Sequence, residues 1–328
     1  DIMQKGTKHQ FHISSFALYG FPESHAFSFG LLAYASSRLK VHRMAEFYDS
    51  LLNNQPMGFY SAATLVQDGR RHGLKVRPVS VEASAWRCTV EEDDTIRIGF
   101  SYVRGLAEKS AGALVAARSE RAFASLADFL RRVELSAGER RALAAVGALN
   151  GLTDHRRAAL WQVEAAWSAE ESLFHAADDL IADESRAGLA PMTLAERVQA
   201  DYGGLALTAG AHPMRLARER LPEVWRAADL PLGRDGERVV IGGSVICRQR
   251  PGTAKGVVFV SLEDETGIAN AIVRSELFEK RRLVISGEPA LRIGGRLQNR
   301  GGVIHVKAER IEPLRLAEVP VQASYDFH

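Results

Sequence analysis

Cysteine, lysine, aromatic side chains and any excess charge of one sign are all scarce in this chain of 328 residues. Its two cysteines, Cys88 and Cys247, stand alone with no Cys-x-x-Cys pair. That excludes a disulfide framework and a structural zinc module, and it fits a reducing compartment. No apolar run reaches the roughly 18–20 residues of a membrane-spanning helix. The opening DIMQKGTKHQ is polar and reads as no signal-peptide core. It starts with Asp1 and not Met, which points to a piece of a longer protein. Aromatics are 8% of residues, so extensive base or sugar stacking is not expected.

What is present is ordinary globular composition, 46% hydrophobic and 25% charged. This excludes collagen, long disordered tails and coiled-coil rods. At about 100–200 residues per domain, two to three domains are expected. The net charge of +2 conceals a partition. Residues 1–78 carry 9 basic and 5 acidic side chains, 79–237 carry 19 and 25, and 238–312 carry 13 and 8. Two basic segments flank an acidic middle, a pattern suited to polyanion contact at both ends. Arginines number 34 against 8 lysines. That bias suits phosphate recognition through the guanidinium fork, and equally suits a base-composition bias in the gene.

Residues 24–52 read as two helices, with Phe27, Leu31, Leu32, Ala35 and Leu39 at helical spacing. A short helix follows over 61–73, then an extended stretch near Pro78. Residues 96–165 read as Ala-rich helix broken at Gly105, Gly138 and Gly151. An acidic linker is expected over 166–190, and helix over 193–220 interrupted at Gly203-Gly204 and His212-Pro213. After Gly236 the pattern turns to strands at 238–250, 257–263, 268–273, 289–297 and 303–312, with a helix near 275–282. Five strands with a helix between the third and fourth is the order of an OB-fold barrel.

The segment VRGLAEKSA (103–111) has the form of a helix-hairpin-helix turn. Such a turn offers backbone N–H groups at a helix N-terminus, where a phosphate is held without reading sequence. Gly105 makes the turn, Ala107 stands where a second glycine is common, and Lys109 and Ser110 are the side-chain donors. A second hairpin lies in LNGLTDHRRAA (149–159), with Gly151 at the turn and Arg156 and Arg157 after it. For both, a plain turn in a helical bundle is the alternative. In the strand-rich part, RQRPGTAKG supplies Arg248, Arg250 and Lys255 to the first interstrand loop. Phe259, Arg274, Arg296, Arg300 and Lys307 lie nearby in the strand pattern, and a solvated basic face is the alternative. GTAKG is no phosphate-binding P-loop, His9 and His12 lack a third ligand, Ser24-His25 lacks a positioned acid, and Glu263-Asp264-Glu265 reads as a hairpin corner.

Three strings carry a resemblance: YGFPESHAFSFGLLAYASSRLK (19–40), NNQPMGFYSAATLVQDGRRHGLKVRPV (53–79) and RQRPGTAKGVVFVSLEDETGIANAIV (248–273). They are similar to bacterial DNA polymerase III alpha subunits, and within that family to the error-prone, translesion branch. The ending SYDFH (324–328) resembles that branch's C-terminus, while residues 1–15 depart from the family pattern. The resemblance implies a multidomain chain: the helical end of the polymerase fingers (1–80), a tandem helix-hairpin-helix region (81–165), an acidic linker and connector (166–236), a five-stranded OB-fold β-barrel (237–313) and a tail (314–328).

It also implies a bacterial cytoplasmic DNA-directed DNA polymerase in which palm-bound Mg2+ ions drive nucleotidyl transfer. The palm is expected to lie outside this chain, so no catalytic carboxylate and no metal site is carried over, and the fragment alone is expected to be inactive. Ser24, His25 and Lys40 are candidates for incoming-nucleotide or template contact, with helix packing as the alternative. Primer-template DNA, single-stranded template and dNTP are the implied partners, and no membrane is expected. Leu173-Phe174 stands where a sliding-clamp motif occurs, with Glu170 in place of the usual Gln; recruitment through other translesion proteins is the fallback. A stand-alone, non-enzymatic DNA-binding adaptor is the alternative for the whole chain.

Overall fold

A computed structural model describes residues 23–58, 60–171, 188–315 and 325–327. The atypical residues 1–15 and the clamp candidates Leu173 and Phe174 lie outside the described residues. The chain divides into two compact units, one ending at Tyr48 and one beginning at Asp49.

In the first unit, helix α1 spans Glu23–His42 and helix α2 begins at Met44, running to Asn53 in the second. Lys40 and His42 lie in the last turn of α1, where cations face the helix's negative end. The apolar residues Phe27, Leu31, Leu32 and Leu39 do recur at helical spacing, yet all are exposed on α1.

The second unit opens with helix α3, Ala62–Arg71. Its start is fixed by Ser61, whose hydroxyl accepts from the Thr64 N–H at 3.1 Å. Three two-residue strands follow: β1 Val76–Arg77, β2 Thr89–Val90 and β3 Ile96–Arg97, in the order β1-β3-β2. The helical region expected from residue 96 therefore begins later. Ile96 and Ile98 are fully buried, Ile96 lies in β3, and a single 3-10 turn, Phe100–Tyr102, comes next.

Four helices then form the middle of the unit: α4 Glu108–Glu120, α5 Leu126–Arg132, α6 Ala137–Ala145 and α7 Arg156–Glu171. Gly138 does not break this region. It lies in the first turn of α6, behind a Ser136/Glu139 capping box. Helix α8, Leu194–Leu205, starts with a second such box, Thr193/Glu196, and runs through Gly203 and Gly204. Gly204 packs so tightly on Val146 that a Cβ there would stand 2.3 Å from its Cγ1. Gly204 thus marks a close contact while Gly203 meets nothing within 4 Å, and neither interrupts the helix. Helix α9, Pro213–Ala217, begins where His212-Pro213 was expected to start a new segment.

The last part is a closed barrel. Strands β4 Arg238–Gln249, β5 Val258–Glu263, β6 Ile268–Val273, β7 Ala290–Arg300 and β8 Val303–Pro313 pair in the order β5-β6-β8-β7-β4, and β4 returns to β5. Helix α10, Ser275–Gly287, lies between β6 and β7, and β6 and β8 run parallel. This is the OB-fold topology expected from the sequence. Strand β9, Tyr325–Phe327, adds parallel to β4. The core follows the period-2 pattern: Val258, Val260 and Leu262 point inward on β5, and Ala269, Ala271 and Val273 on β6. Phe278 and Ile285 of α10 pack against this barrel core.

The β7–β8 pairing needs close backbone approach at Gly295, where a Cβ would stand 2.0 Å from the Lys307 carbonyl oxygen of β8. Gly295→Ala is expected to lower the unfolding free energy by about 3 kcal/mol through this overpacking. Gly252→Ala, which meets nothing within 4 Å, is the control and should change stability by less than about 1 kcal/mol. Urea denaturation of the two variants reads the difference.

Candidate nucleic-acid interface

At the first hairpin Gly105 takes a φ of +86°, the left-handed conformation the turn requires. Ala107 is the N-cap of α4 but has no capping side chain. Its N–H donates to Glu139 Oε1 at 3.2 Å. The other oxygen of Glu139 accepts from the Ser136 N–H at 3.0 Å and its hydroxyl at 2.8 Å. A carboxylate of the protein's own thus fills part of the anion-binding corner and ties α4 to α6. Glu108 and Lys109 supply the next two N–H groups, and Lys109 is exposed. A surface cavity of about 610 Å3 opens beside them, lined by Lys109, Ser110, Ser136 and Arg140.

Burial opposes the charge on Glu139, but hydrogen bonds from Ser110, Ser136 and Ala107 outweigh it and hold its pKa down at about 2, against an ordinary 4.5. Because the folded value is the lower one, this stabilisation is complete above pH 4.5 and is lost as pH falls toward 2. Glu139→Gln should therefore flatten the acid limb of the stability profile in that window. Denaturation midpoints measured from pH 6 down to about pH 2 check it.

The second hairpin joins α6 to α7. Its left-handed glycine is Gly147, with φ +78°, and not Gly151. The signal was in the sequence: Gly147 follows the C-cap residue of α6, Val146, at the position just past a helix end that glycine favours. Gly151 lies under the Glu82 carboxylate. Neither arginine expected to grip DNA here is presented for it. Arg156 is buried, and its guanidinium meets Asp201 at 2.7 Å and the Arg197 carbonyl at 3.2 Å. Arg157 pairs with Glu196 and donates to the Ala190 carbonyl at 2.9 Å. Both bridge α7 to the α8 segment, a role that sequence spacing could not reveal because the partners lie about 40 residues away.

On the barrel, the strand register brings the candidates together. Phe259 of β5 stands opposite Ile272 of β6, Ile272 opposite Lys307 of β8, and Lys307 opposite Arg296 of β7. Cross-strand partners share a face, so these four form one row on the outside of the barrel. Phe259 is 37% exposed and Lys307 and Arg296 are exposed. Ser261 and Asn270 form the next outward pair, with the Ser261 hydroxyl donating to Asn270 Oδ1 at 2.8 Å. Ile272 and Asn270 were not singled out in the sequence. Their signal was the burial alternation of IANAIV, which turns residues 268, 270 and 272 outward. Lys255 and Arg274 are exposed at the loop end of the row.

Two other loop arginines have different roles. Arg248 belongs to β4, is buried, and donates to the Ile285 and Glu288 carbonyls, fastening α10 to the barrel. Arg250 stacks over Phe278 at 4.7 Å and pairs with Glu279 at 3.2 Å. Arg300 pairs with Asp235 at 2.7 Å and Arg296 with Glu309 at 3.2 Å, both at the surface. In the first unit, the His25 ring meets Phe29 edge-on at 4.5 Å and the Lys40 ammonium lies 5.7 Å over the Tyr48 ring, so both make helix contacts; Ser24 lies in the first turn of α1.

Among the described residues, no group of three or more His, Cys, Asp or Glu converges to hold a metal ion. The described residues therefore do not fit the divalent ions that the resemblance implies. Likewise no helix among them is long and apolar enough to cross a membrane.

Comparison with known proteins agrees with the two nucleic-acid-binding folds. A helix-hairpin-helix motif model matches residues 73–159, and an OB-fold nucleic acid binding domain model matches residues 239–314. The error-prone DNA polymerase of Pseudomonas savastanoi pv. phaseolicola is 43% identical over 92% of this chain and 30% of its own length. That of Azoarcus sp. is 44% identical over 96% of this chain and 30% of its own length. Error-prone DNA polymerase 2 of Rhizobium meliloti is 41% identical over 91% of this chain and 29% of its length. The chain thus spans about 30% of the length of the curated relatives it matches.

Proposed function

From a chain homologous to error-prone DNA polymerases along more than nine-tenths of its length, and carrying a helix-hairpin-helix region followed by an OB-fold barrel, we propose that it is the DNA-gripping portion of such a polymerase in damage-tolerant synthesis. The hairpin region holds duplex behind the site of synthesis through backbone amides and Lys109. The outer barrel row, from Phe259 to Lys307, tracks the single-stranded template. The observation that carries this is the identity of 43–44% over 92–96% of the chain, beside the matches to both modules.

In a whole enzyme of the relatives' length, Mg2+-dependent nucleotide addition to a primer belongs to the parts outside this matched stretch, in the bacterial cytoplasm. Ser24, His25 and Lys40 are proposed to face the incoming dNTP or template there, and Leu173-Phe174 to help engage a sliding clamp or another translesion protein. The proposal is tested on the purified 328-residue chain. It is expected to bind two unrelated 20-nucleotide single strands of equal composition within about threefold of each other, since phosphate contacts carry no sequence information. It is expected to add no nucleotide to a primer-template supplied with Mg2+ and dNTPs. A preference beyond about tenfold for one sequence, which base contacts would produce, or primer extension by this chain, contradicts the proposal.

A further inference from the structure

The second unit holds a cavity of about 610 Å3 away from the hairpins and the barrel row. Its wall comes from four places: the end of α3, the stretch around α9, Arg226 just ahead of a 3-10 turn at Ala227–Leu232, and the turn between β5 and β6. Five arginines line it against two carboxylates, Glu219 and Glu265. The size lies within the roughly 300–1,000 Å3 range of small-molecule sites.

Two of the arginines are held by acids. Arg71 meets Glu263 at 2.9 Å, and Arg218 grips Glu265 with two nitrogens at 2.7 and 2.9 Å and Asp264 at 3.2 Å. The other three have no carboxylate within 4 Å among the described residues. Arg70 gives one nitrogen to the Gly210 carbonyl, and Arg215 and Arg226 are exposed at the cavity wall. A preformed cluster of three unneutralised guanidiniums around one hollow is a phosphate receptor in the chemical sense: planar forks that match tetrahedral oxyanions two bonds at a time.

We propose that this cavity binds a phosphate-bearing anion through Arg70, Arg215 and Arg226. Arg71 and Arg218, locked on their acids, form the rigid wall. His212 completes the floor. It is buried at the N-cap of α9, and its Nδ1 accepts the Met214 N–H at 3.1 Å. Burial, with Arg71, Arg218 and Arg70 adding to it against the pull of Asp264, lowers its pKa to about 4. The ring is therefore neutral with its proton on Nε2, the tautomer that donates to an oxyanion. Arg70 reports the same positive field: burial and then the charge of Arg215 lower its pKa.

The site does not depend on the hairpin or barrel contacts with DNA, so inorganic pyrophosphate is a sufficient probe. Calorimetric titration of the 328-residue chain is expected to show saturable pyrophosphate binding, at least tenfold weaker in Arg215→Gln/Arg226→Gln and weaker again with Arg70→Gln added. The double variant removes two exposed side chains without acid partners, so its thermal midpoint should match the parent and separate lost binding from lost folding. A single-stranded oligonucleotide added as competitor names the source. Displacement of pyrophosphate identifies a nucleic-acid backbone, and undisturbed pyrophosphate binding identifies a free polyphosphate; both support the site. Absence of saturable pyrophosphate binding to the parent chain, or equal pyrophosphate affinity in the parent and the triple variant, overturns it.

Discussion

Asp201→Ala is expected to lower the unfolding free energy of the second unit by about 3–5 kcal/mol, the range for removing one partner of a buried ion pair. Asp201 on α8 is buried and accepts from Arg156 at 2.7 Å and from the Thr208 hydroxyl at 2.6 Å. Burial raises its pKa, with Arg156 and Thr208 pulling it back down. Among the described residues, removing it leaves the Arg156 guanidinium buried and facing only the Arg197 carbonyl, with its Nε already lacking a partner. The cost arises mostly from that stranded charge. Arg156→Met together with Asp201→Leu should therefore recover most of the loss, because well-packed apolar replacements of a buried pair are often close to neutral. Urea denaturation of the single and double variants measures both. A loss below about 1 kcal/mol for Asp201→Ala would mean that the pair behaves as a surface contact, and would make Arg156 a candidate DNA ligand again.

The second large effect is on binding. Reversal of Lys255, Arg274 and Lys307 to Glu is expected to weaken single-strand affinity about a hundredfold near 0.1 M salt. It should also make the salt slope shallower by about 2, at roughly 0.7 for each phosphate no longer neutralised. All three are exposed at or beside the row that runs from Phe259 through Ile272 to Lys307. Arg248 makes the contrast. It came from the same basic loop sequence, yet it fastens α10 to the barrel. Arg248→Glu should reduce stability first and binding only as a consequence, which a thermal melt beside the titration separates. Equal affinity of the triple variant and the parent would remove the barrel face from the DNA path.

The barrel was the most legible part of the sequence. Strands β5 to β8 largely alternate buried and less buried residues while β4 buries the run 241–245, and the observed boundaries lie within about three residues of those expected, the usual precision for element ends. The hairpin region was less so. Gly138 and Gly203-Gly204 look like breaks by local propensity, but Gly138 lies in the first turn behind the Ser136 capping box, and Gly204 packs on Val146 in the last turn of α8. Arg156 and Arg157 follow a turn glycine and look like phosphate ligands, whereas their partners, Asp201 and Glu196, lie far along the chain. The cavity of Arg70, Arg215 and Arg226 was not legible at all, since its walls come from segments separated by some 150 residues and meet only in the fold.

The mode of binding proposed for this chain is through nucleic-acid phosphates and not through the bases. The salt dependence of single-strand binding, followed by fluorescence anisotropy from about 50 to 300 mM NaCl, tests it most directly. Three to five phosphate contacts predict a slope of log K against log salt between about −2 and −4. A slope near zero, or no binding at about 50 mM salt, contradicts the claim.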